Sequence, residues 1–158
     1  MKKKISILGA TGSIGVSVFK IIDKNKNFFS IILLSSNNNF KLICKQIKKY
    51  KPKYYVINDF ETFNKVKKKF KKSKVRIVND FNFNEKKIKS DIVISAIPGI
   101  AGLNPTINII NKTKKILIAN KESIICGWDL IKHKAKKNKT KIIPIDSEHF
   151  SIHQLIKK

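Results

Sequence analysis

Three glycines at three-residue spacing, Gly9, Gly12 and Gly15, follow directly on the apolar run 5–8. Such a run is typical of a buried strand, and apolar residues then recur with helical period. Glycines let the backbone turn sharply and approach a ligand, and the free amides of residues 11–14 at a helix start attract an anion. The stretch therefore predicts a pyrophosphate site, with an ordinary strand-to-helix turn as the alternative.

Two carboxylates, Asp146 and Glu148, are separated by one residue at the end of the extended run 141–145. Strand geometry would point both side chains to the same face, and paired carboxylates suit a hard divalent cation such as Mg²⁺ or Mn²⁺. Ser147 stands where a new helix is expected to begin, so its hydroxyl could hold a phosphate. A helix cap flanked by acidic residues is an equally open interpretation.

Lys121 and Glu122 follow the apolar run 116–119 and so fall at the same edge of the predicted sheet. The lysine could hold a substrate phosphate or hydroxyl, and the glutamate could contact a cofactor. A solvated ion pair is an equal alternative.

The loop after the second predicted strand has no carboxylate between residues 35 and 39. An NAD site would place Asp or Glu there to bind the ribose hydroxyls. A negative 2′-phosphate would meet no repulsion in this loop, and Asn37, Asn38 and Asn39 supply hydrogen-bond donors. The loop therefore favours NADP over NAD, and a polar loop of turn-forming residues is the alternative.

Predicted strands and helices alternate along the chain with short connections. This alternation predicts an α/β fold, a doubly wound and mostly parallel sheet of the Rossmann type, whose ligands bind outside the carboxyl ends of the strands. The predicted strands are 5–8, 31–34, 54–57, 75–78, 91–96, 116–119 and 141–145, and the predicted helices after the first are 40–49, 60–70, 85–88, 106–110, 128–137 and a last one beyond 149.

Composition bears on the class of partner. The chain has 158 residues, enough for one domain with a sizeable core, and a formal net charge of +25. Such a charge could serve nucleic acid, but Arg76 is the only arginine and the lysines are spread along the chain. We therefore expect a solvated Lys-rich surface and no specific nucleic-acid partner.

The start of the chain and its cysteines give weaker expectations. Lysines 2–4 run straight into the first predicted strand, which leaves no room for a targeting segment, and no apolar run reaches membrane-spanning length. We therefore expect a cytoplasmic protein without a membrane partner. Cys44 and Cys126 lack metal-type spacing, so each is interpreted as a small buried apolar residue rather than a ligand or a disulfide partner.

Three segments, 9–15 (GATGSIG), 119–123 (ANKES) and 144–149 (PIDSEH), together resemble the 1-deoxy-D-xylulose 5-phosphate reductoisomerases. The resemblance implies an NADPH- and metal-dependent oxidoreductase of isoprenoid biosynthesis. Such an enzyme rearranges its phosphosugar substrate and reduces the resulting aldehyde to 2-C-methyl-D-erythritol 4-phosphate.

The resemblance also implies roles for single residues. One departure from the family is Asn38, where relatives often have a lysine near the 2′-phosphate. The implied cofactor contacts are Thr11, Gly12, Ser13, Ile14, Asn37, Asn38, Asn39, Asn120 and Glu122; the substrate contacts are Lys121, Ser147 and Glu148, with Lys121 and Glu148 catalytic; and Asp146 and Glu148 hold Mn²⁺ or Mg²⁺.

Members of this family continue far beyond position 158. The resemblance implies an NADPH-binding domain over 1–143 and the first segment of a catalytic domain over 144–158. A fragment, a truncated gene product and half of a split enzyme with a separately encoded remainder stay open, and the full-length family is expected to be homodimeric. The alternatives are an NADP-binding module without catalysis and a basic nucleic-acid-binding protein.

Overall fold

A seven-stranded sheet runs through the chain, in the order β4-β3-β2-β1-β5-β6-β7, with every neighbouring pair parallel. The computed structural model describes residues 1–81 and 88–145. The strands are β1 (Lys3–Leu8), β2 (Phe29–Ser36), β3 (Tyr54–Ile57), β4 (Arg76–Val78), β5 (Ser90–Ser95), β6 (Thr113–Ile118) and β7 (Lys141–Pro144). The helices are α1 (Ser13–Lys24), α2 (Phe40–Tyr50), α3 (Phe60–Lys69), α4 (Leu103–Ile109) and α5 (Lys121–Asn138), with short 3-10 turns on both sides of α4.

Both faces of the sheet are covered, which explains why the central strands are apolar on both sides. Ile7 packs with α1 and α2 residues such as Phe19 and Ile43 in one cluster. Leu8, the next residue, belongs to a second cluster with Ile116 of β6 and Ile131 of α5. A parallel strand covered on both faces must be apolar at consecutive positions, so the α/β prediction from the run 5–8 is confirmed.

The strand order reverses between β1 and β5. Strands β2, β3 and β4 extend the sheet on one side of β1, whereas β5, β6 and β7 extend it on the other. The loops that leave β1 and β5 therefore diverge at the carboxyl edge of the sheet and open a crevice between them.

Several predicted boundaries were wrong. Strand β2, predicted over 31–34, runs to Ser36, so two serines assigned to the following loop are buried strand residues. The helix predicted over 128–137 matches the part of α5 that follows a kink at the non-helical Gly127, but α5 itself begins at Lys121, and the helix predicted over 106–110 begins at Leu103. In the first two cases polar residues that the protein itself hydrogen-bonds were interpreted as loop. Cys44 is buried as expected, but Cys126, also expected to be buried, is exposed on α5.

Two of the predicted helices lie wholly or partly outside the described residues. Most of the predicted short helix 85–88 is outside them, and Ile88 is buried but in no helix. The predicted domain boundary at 143/144 falls within β7 and stays a prediction, and the predicted last helix lies beyond the described part. Within residues 1–81 and 88–145, no helix combines the length and apolar character that crossing a membrane requires.

Candidate dinucleotide site

A cleft of about 370 Å³ opens at the carboxyl edge of the sheet, where the strand order reverses. It is bordered by the turn after β1, the loop after β5 and the start of α5. The lining residues are 12–14, 96–99 and 119–122.

Two of the three glycines in the first turn are required by the fold itself. Gly9 has a φ of +81°, and a Cβ there would overlap the carbonyl of Ala96 at the end of β5. A Cβ on Gly15 would lie 2.5 Å from the carbonyl oxygen of Gly9, because α1 packs directly on the turn. Neither position accommodates a side chain without moving the backbone.

Gly12 differs from the other two glycines. It is exposed at the N-cap of α1, and a Cβ there would meet only the carbonyl oxygen of Gly9, at an ordinary 3.5 Å. No side chain in the described part of the chain caps α1. The start of this helix therefore presents free amides to the cleft, with Ser13 and Ile14 exposed beside them, as a pyrophosphate requires.

The end of β2 is attached to this turn. The backbone amide of Gly9 donates to Oγ of Ser35 at 3.1 Å, and the amide of Ala10 donates to the carbonyl of Ser35 at 2.7 Å. The exposed loop that follows begins at Asn37, and its last residue, Asn39, caps α2 by accepting from the amide of Leu42 at 3.1 Å. The loop predicted to lie by a 2′-phosphate is therefore held next to the glycine turn.

Asn120 joins two borders of the cleft. Its Nδ2 donates to the carbonyls of Ile97 and of Gly99, the latter at 2.7 Å. Its Oδ1 accepts from the amide of Ser123 at 2.7 Å and so caps α5. The side chain is 3% exposed and already bonded within the protein. The cofactor contact of Asn120 stays a prediction. The structure adds that the Asn120 side chain holds the loop after β5 through its two hydrogen bonds to that loop.

Lys121 and Glu122 occupy the first turn of α5 rather than a loop. Both line the cleft, with Lys121 exposed and Glu122 half-buried. A carboxylate in the first turn of a helix is favoured by the helix dipole, which accounts for Glu122 without a ligand. Their position at the carboxyl edge is as predicted, while their cofactor and substrate contacts stay predictions.

The predicted metal and phosphate residues, Asp146, Ser147 and Glu148, lie outside the described residues. Strand β7 leads toward them: Pro144 pairs with Ile118, and the amide of Ile145 donates to the carbonyl of Ile118 at 2.9 Å. Among residues 1–81 and 88–145, no group of three or more His, Cys, Asp or Glu side chains could hold a metal ion. The metal site therefore stays a prediction.

Sequence reasoning missed the loop after β5 as part of the site. No role was assigned to residues 97–99 from the sequence, although the doubly wound order places β5 beside β1. Gly99, with a φ of +68°, gives the loop its turn. The signal that could have found it was Pro98-Gly99 directly after a strand expected to neighbour the first one.

The all-parallel doubly wound sheet, with a glycine turn and free helix amides at its switch point, defines a dinucleotide-binding α/β protein. The family model of 1-deoxy-D-xylulose 5-phosphate reductoisomerase matches residues 5–127. The chain belongs to this family.

Named relatives and solved structures support the same family assignment. The chain is 48% identical to 1-deoxy-D-xylulose 5-phosphate reductoisomerase of Pelagibacter ubique (strain HTCC1062), covering 98% of this chain and 41% of that protein. It is 40% identical to that of Clostridium novyi (strain NT), with the same shares covered. The Zymomonas mobilis reductoisomerase in complex with NADPH superposes with a TM-score of 0.88 at 32% identity, covering 98% of this chain and 41% of that one. This chain thus spans about two fifths of the length of these relatives.

Proposed function

We propose that this chain is the NADPH-binding part of a 1-deoxy-D-xylulose 5-phosphate reductoisomerase. The observation that carries the proposal is the free start of α1 at Gly12, a glycine that the protein's own packing does not need. A pyrophosphate would bind to the free amides at the start of α1. A side chain on residue 12 would fill the space beside these amides, so glycine at this position suits the ligand. The Z. mobilis relative was solved with NADPH, and another reductoisomerase was solved with NADPH, fosmidomycin and magnesium.

We propose the cofactor contacts from the residues that line the cleft and from the loop 37–39 next to the glycine turn. Residues 11–14 border the pyrophosphate, which the free amides in the first turn of α1 and the hydroxyls of Thr11 and Ser13 hold. Asn37, Asn38 and Asn39 bind the 2′-phosphate with donors and without a repelling carboxylate. Asn120 and Glu122 border the other side of the cleft, where the nicotinamide half would lie, and the bound cofactor supplies a hydride there.

The substrate residues come from two places. Lys121 offers a cation at the mouth of the cleft and holds an oxygen of the phosphosugar. Asp146 and Glu148 hold Mn²⁺ or Mg²⁺, and Ser147 binds a substrate oxygen beside them. Two carboxylates match the oxygen ligands that hard cations prefer, and such a cation polarises the substrate's oxygens when bound.

The complete enzyme needs more than these residues. A cation held by only two protein carboxylates keeps mostly water as its ligands, which is too loose to fix a substrate. We therefore propose that residues 1–158 bind NADPH without turnover, and that further polypeptide, in the same chain or separately encoded, completes the site in a homodimer.

A chimera tests this proposal. The matching N-terminal part of the P. ubique relative is replaced by residues 1–158, and NADPH oxidation is followed with 1-deoxy-D-xylulose 5-phosphate and Mn²⁺. We expect turnover that Asp146→Ala abolishes and that Asp129→Ala, an exposed α5 position outside the cleft, leaves intact. A folded chimera that binds NADPH but never turns over would contradict the substrate and metal assignments. Turnover by residues 1–158 alone would show that no further polypeptide is needed.

A further inference from the structure

A ring of hydrogen bonds connects the glycine turn after β1 with α2, β3 and the end of β2. The hydroxyl of Ser36 donates to the Tyr55 hydroxyl at 3.2 Å, and the Tyr55 hydroxyl donates to Oε1 of Gln46 at 2.5 Å. Nε2 of Gln46 donates in turn to the carbonyl of Ala10 at 2.8 Å. The amide of Ala10 donates to the carbonyl of Ser35 at 2.7 Å, and Ser35 precedes Ser36 in β2, which closes the ring.

The polar side chains of the ring are buried. Tyr55 is 0% exposed, Gln46 is 2% exposed and Ser36 is 7% exposed. Their neighbours on α2, Ile43 and Ile47, are fully buried apolar residues, so an apolar side chain would be the simpler occupant of position 46. Burying an amide and a phenol is costly unless both are hydrogen-bonded, as they are here. Packing alone therefore does not account for Gln46 and Tyr55.

The ring connects the two parts of the proposed cofactor site that must stay at a fixed separation. Ala10 belongs to the glycine turn, between the residues proposed to hold the pyrophosphate and β1. Ser36 is the last residue of β2 and directly precedes Asn37 in the loop proposed to bind the 2′-phosphate. The hydrogen bonds run from one to the other through α2 and β3.

We propose that Gln46 and Tyr55 are positioning residues that set the distance between the pyrophosphate turn and the 2′-phosphate loop, and so determine the preference for NADPH over NADH. The inference rests on the proposed function. Neither residue touches the cofactor, since each acts through the backbone that it holds. A phenol is a proton donor at physiological pH at its usual pKa of about 10, and burial raises the pKa of Tyr55 further.

The variants Tyr55→Phe and Gln46→Met test the inference, because each removes hydrogen bonds while approximately preserving side-chain shape. Ile47→Val is the matched control, since it removes one buried methylene from the same helix without touching the ring. The affinities of residues 1–158 and of each variant for NADPH, NADH and adenosine 2′,5′-bisphosphate are measured by titration, and the thermal midpoint of each is recorded. A milder variant, Ser36→Ala, covers the case in which one of the first two does not fold.

The ratio of NADPH to NADH affinity distinguishes positioning from stability. A loss of stability alone lowers both affinities together, as we expect for Ile47→Val. In the ring variants we expect NADPH and adenosine 2′,5′-bisphosphate to bind about fivefold more weakly while NADH changes less, the size expected for the loss of one hydrogen bond's net contribution. An unchanged ratio in every folded ring variant would overturn the inference and leave the proposed function standing. Failure of the unmodified chain to bind NADPH would overturn both.

Discussion

At the scale of single residues, Gly9 and Gly12 give a matched contrast within one turn. Gly9 is fixed by its positive φ and by the carbonyl of Ala96, whereas Gly12 has room for a side chain as far as the protein is concerned. The pattern of three spaced glycines could be predicted from the sequence as a ligand turn. Which glycine serves the fold and which serves the ligand could not, because that depends on the approach of β5.

We expect Gly12→Val to fold and to lose NADPH. The free energy of unfolding should fall by no more than about 1 kcal/mol, since the substitution affects only an exposed N-cap. NADPH affinity should fall at least tenfold, because the branched side chain occupies the space at the helix amides. Thermal unfolding and NADPH titration measure the two effects.

Gly9→Ala is the control for Gly12→Val. We expect its main effect to be on the stability of the fold rather than on a direct contact with NADPH. Its Cβ would overlap backbone in a left-handed conformation, so we expect a loss of stability of about 1–3 kcal/mol. Normal NADPH binding by Gly12→Val would mean that the pyrophosphate lies elsewhere.

Asn120→Asp tests the tie between the loop after β5 and α5. The replacement keeps the acceptor for the amide of Ser123 but turns an oxygen toward the carbonyls of Ile97 and Gly99. We expect a loss of about 1–3 kcal/mol in the free energy of unfolding, measured by urea denaturation, because two carbonyls lose their donor in a buried place.

Asn120→Ser serves as the comparison for Asn120→Asp. Serine keeps the helix cap without the repulsion and should cost less than Asn120→Asp. Equal losses in the two variants would contradict the role given to the amide.

At the scale of elements, the errors of prediction share one cause. Ser35 and Ser36 were assigned to a loop because they are polar, yet both are buried in β2 with their hydroxyls bonded to the glycine turn and to Tyr55. The first turn of α5 was missed because Asn120 was not recognised as its cap, and because Gly127 interrupts the helical pattern with a non-helical φ of −132°. Apolar periodicity locates elements well, but it cannot show which polar residues find partners inside the protein.

The start of β5 predicts a dependence of stability on pH. The backbone amide of Lys4 donates to Asp91 at 2.9 Å, and Lys114 lies 2.9 Å from the same carboxylate. The amide first, and then the lysine, lower the pKa of Asp91 in the folded state. Its stabilising contribution is therefore present above the unfolded pKa of about 3.9 and is lost as the pH falls through the lower folded value.

Asp91→Asn should remove that part of the pH dependence. At neutral pH we expect the variant to lose about 0.5–1 kcal/mol in the free energy of unfolding, since the carboxylate is partly exposed and screened. Below the folded pKa of Asp91 the two proteins should converge. Urea denaturation across the acid range measures both curves, and parallel curves would show that the Asp91 contacts contribute nothing in solution.

At the scale of the whole molecule, the net charge of +25 raises the question of whether the protein binds nucleic acid rather than a phosphate-bearing cofactor. A surface rich in lysine attracts any polyanion, but without dedicated contacts the attraction is indifferent to sequence and screened by salt. We expect DNA and RNA to bind weakly at low salt and to be released steeply as salt rises, as measured by fluorescence anisotropy. Sequence-selective binding that survives physiological salt would favour a nucleic-acid function instead.

We propose that the cleft at the switch point, together with the loop 37–39, is an NADPH site, and competitive titration with NADPH and NADH at about 0.15 M salt tests this proposal. Screening removes the general attraction of the lysines, so the remaining difference reports the loop 37–39. We predict one NADPH per chain, bound about tenfold or more tightly than NADH, as charge-assisted hydrogen bonds to a phosphate would give. Equal affinities, tighter binding of NADH, or no saturable binding of NADPH would contradict the account.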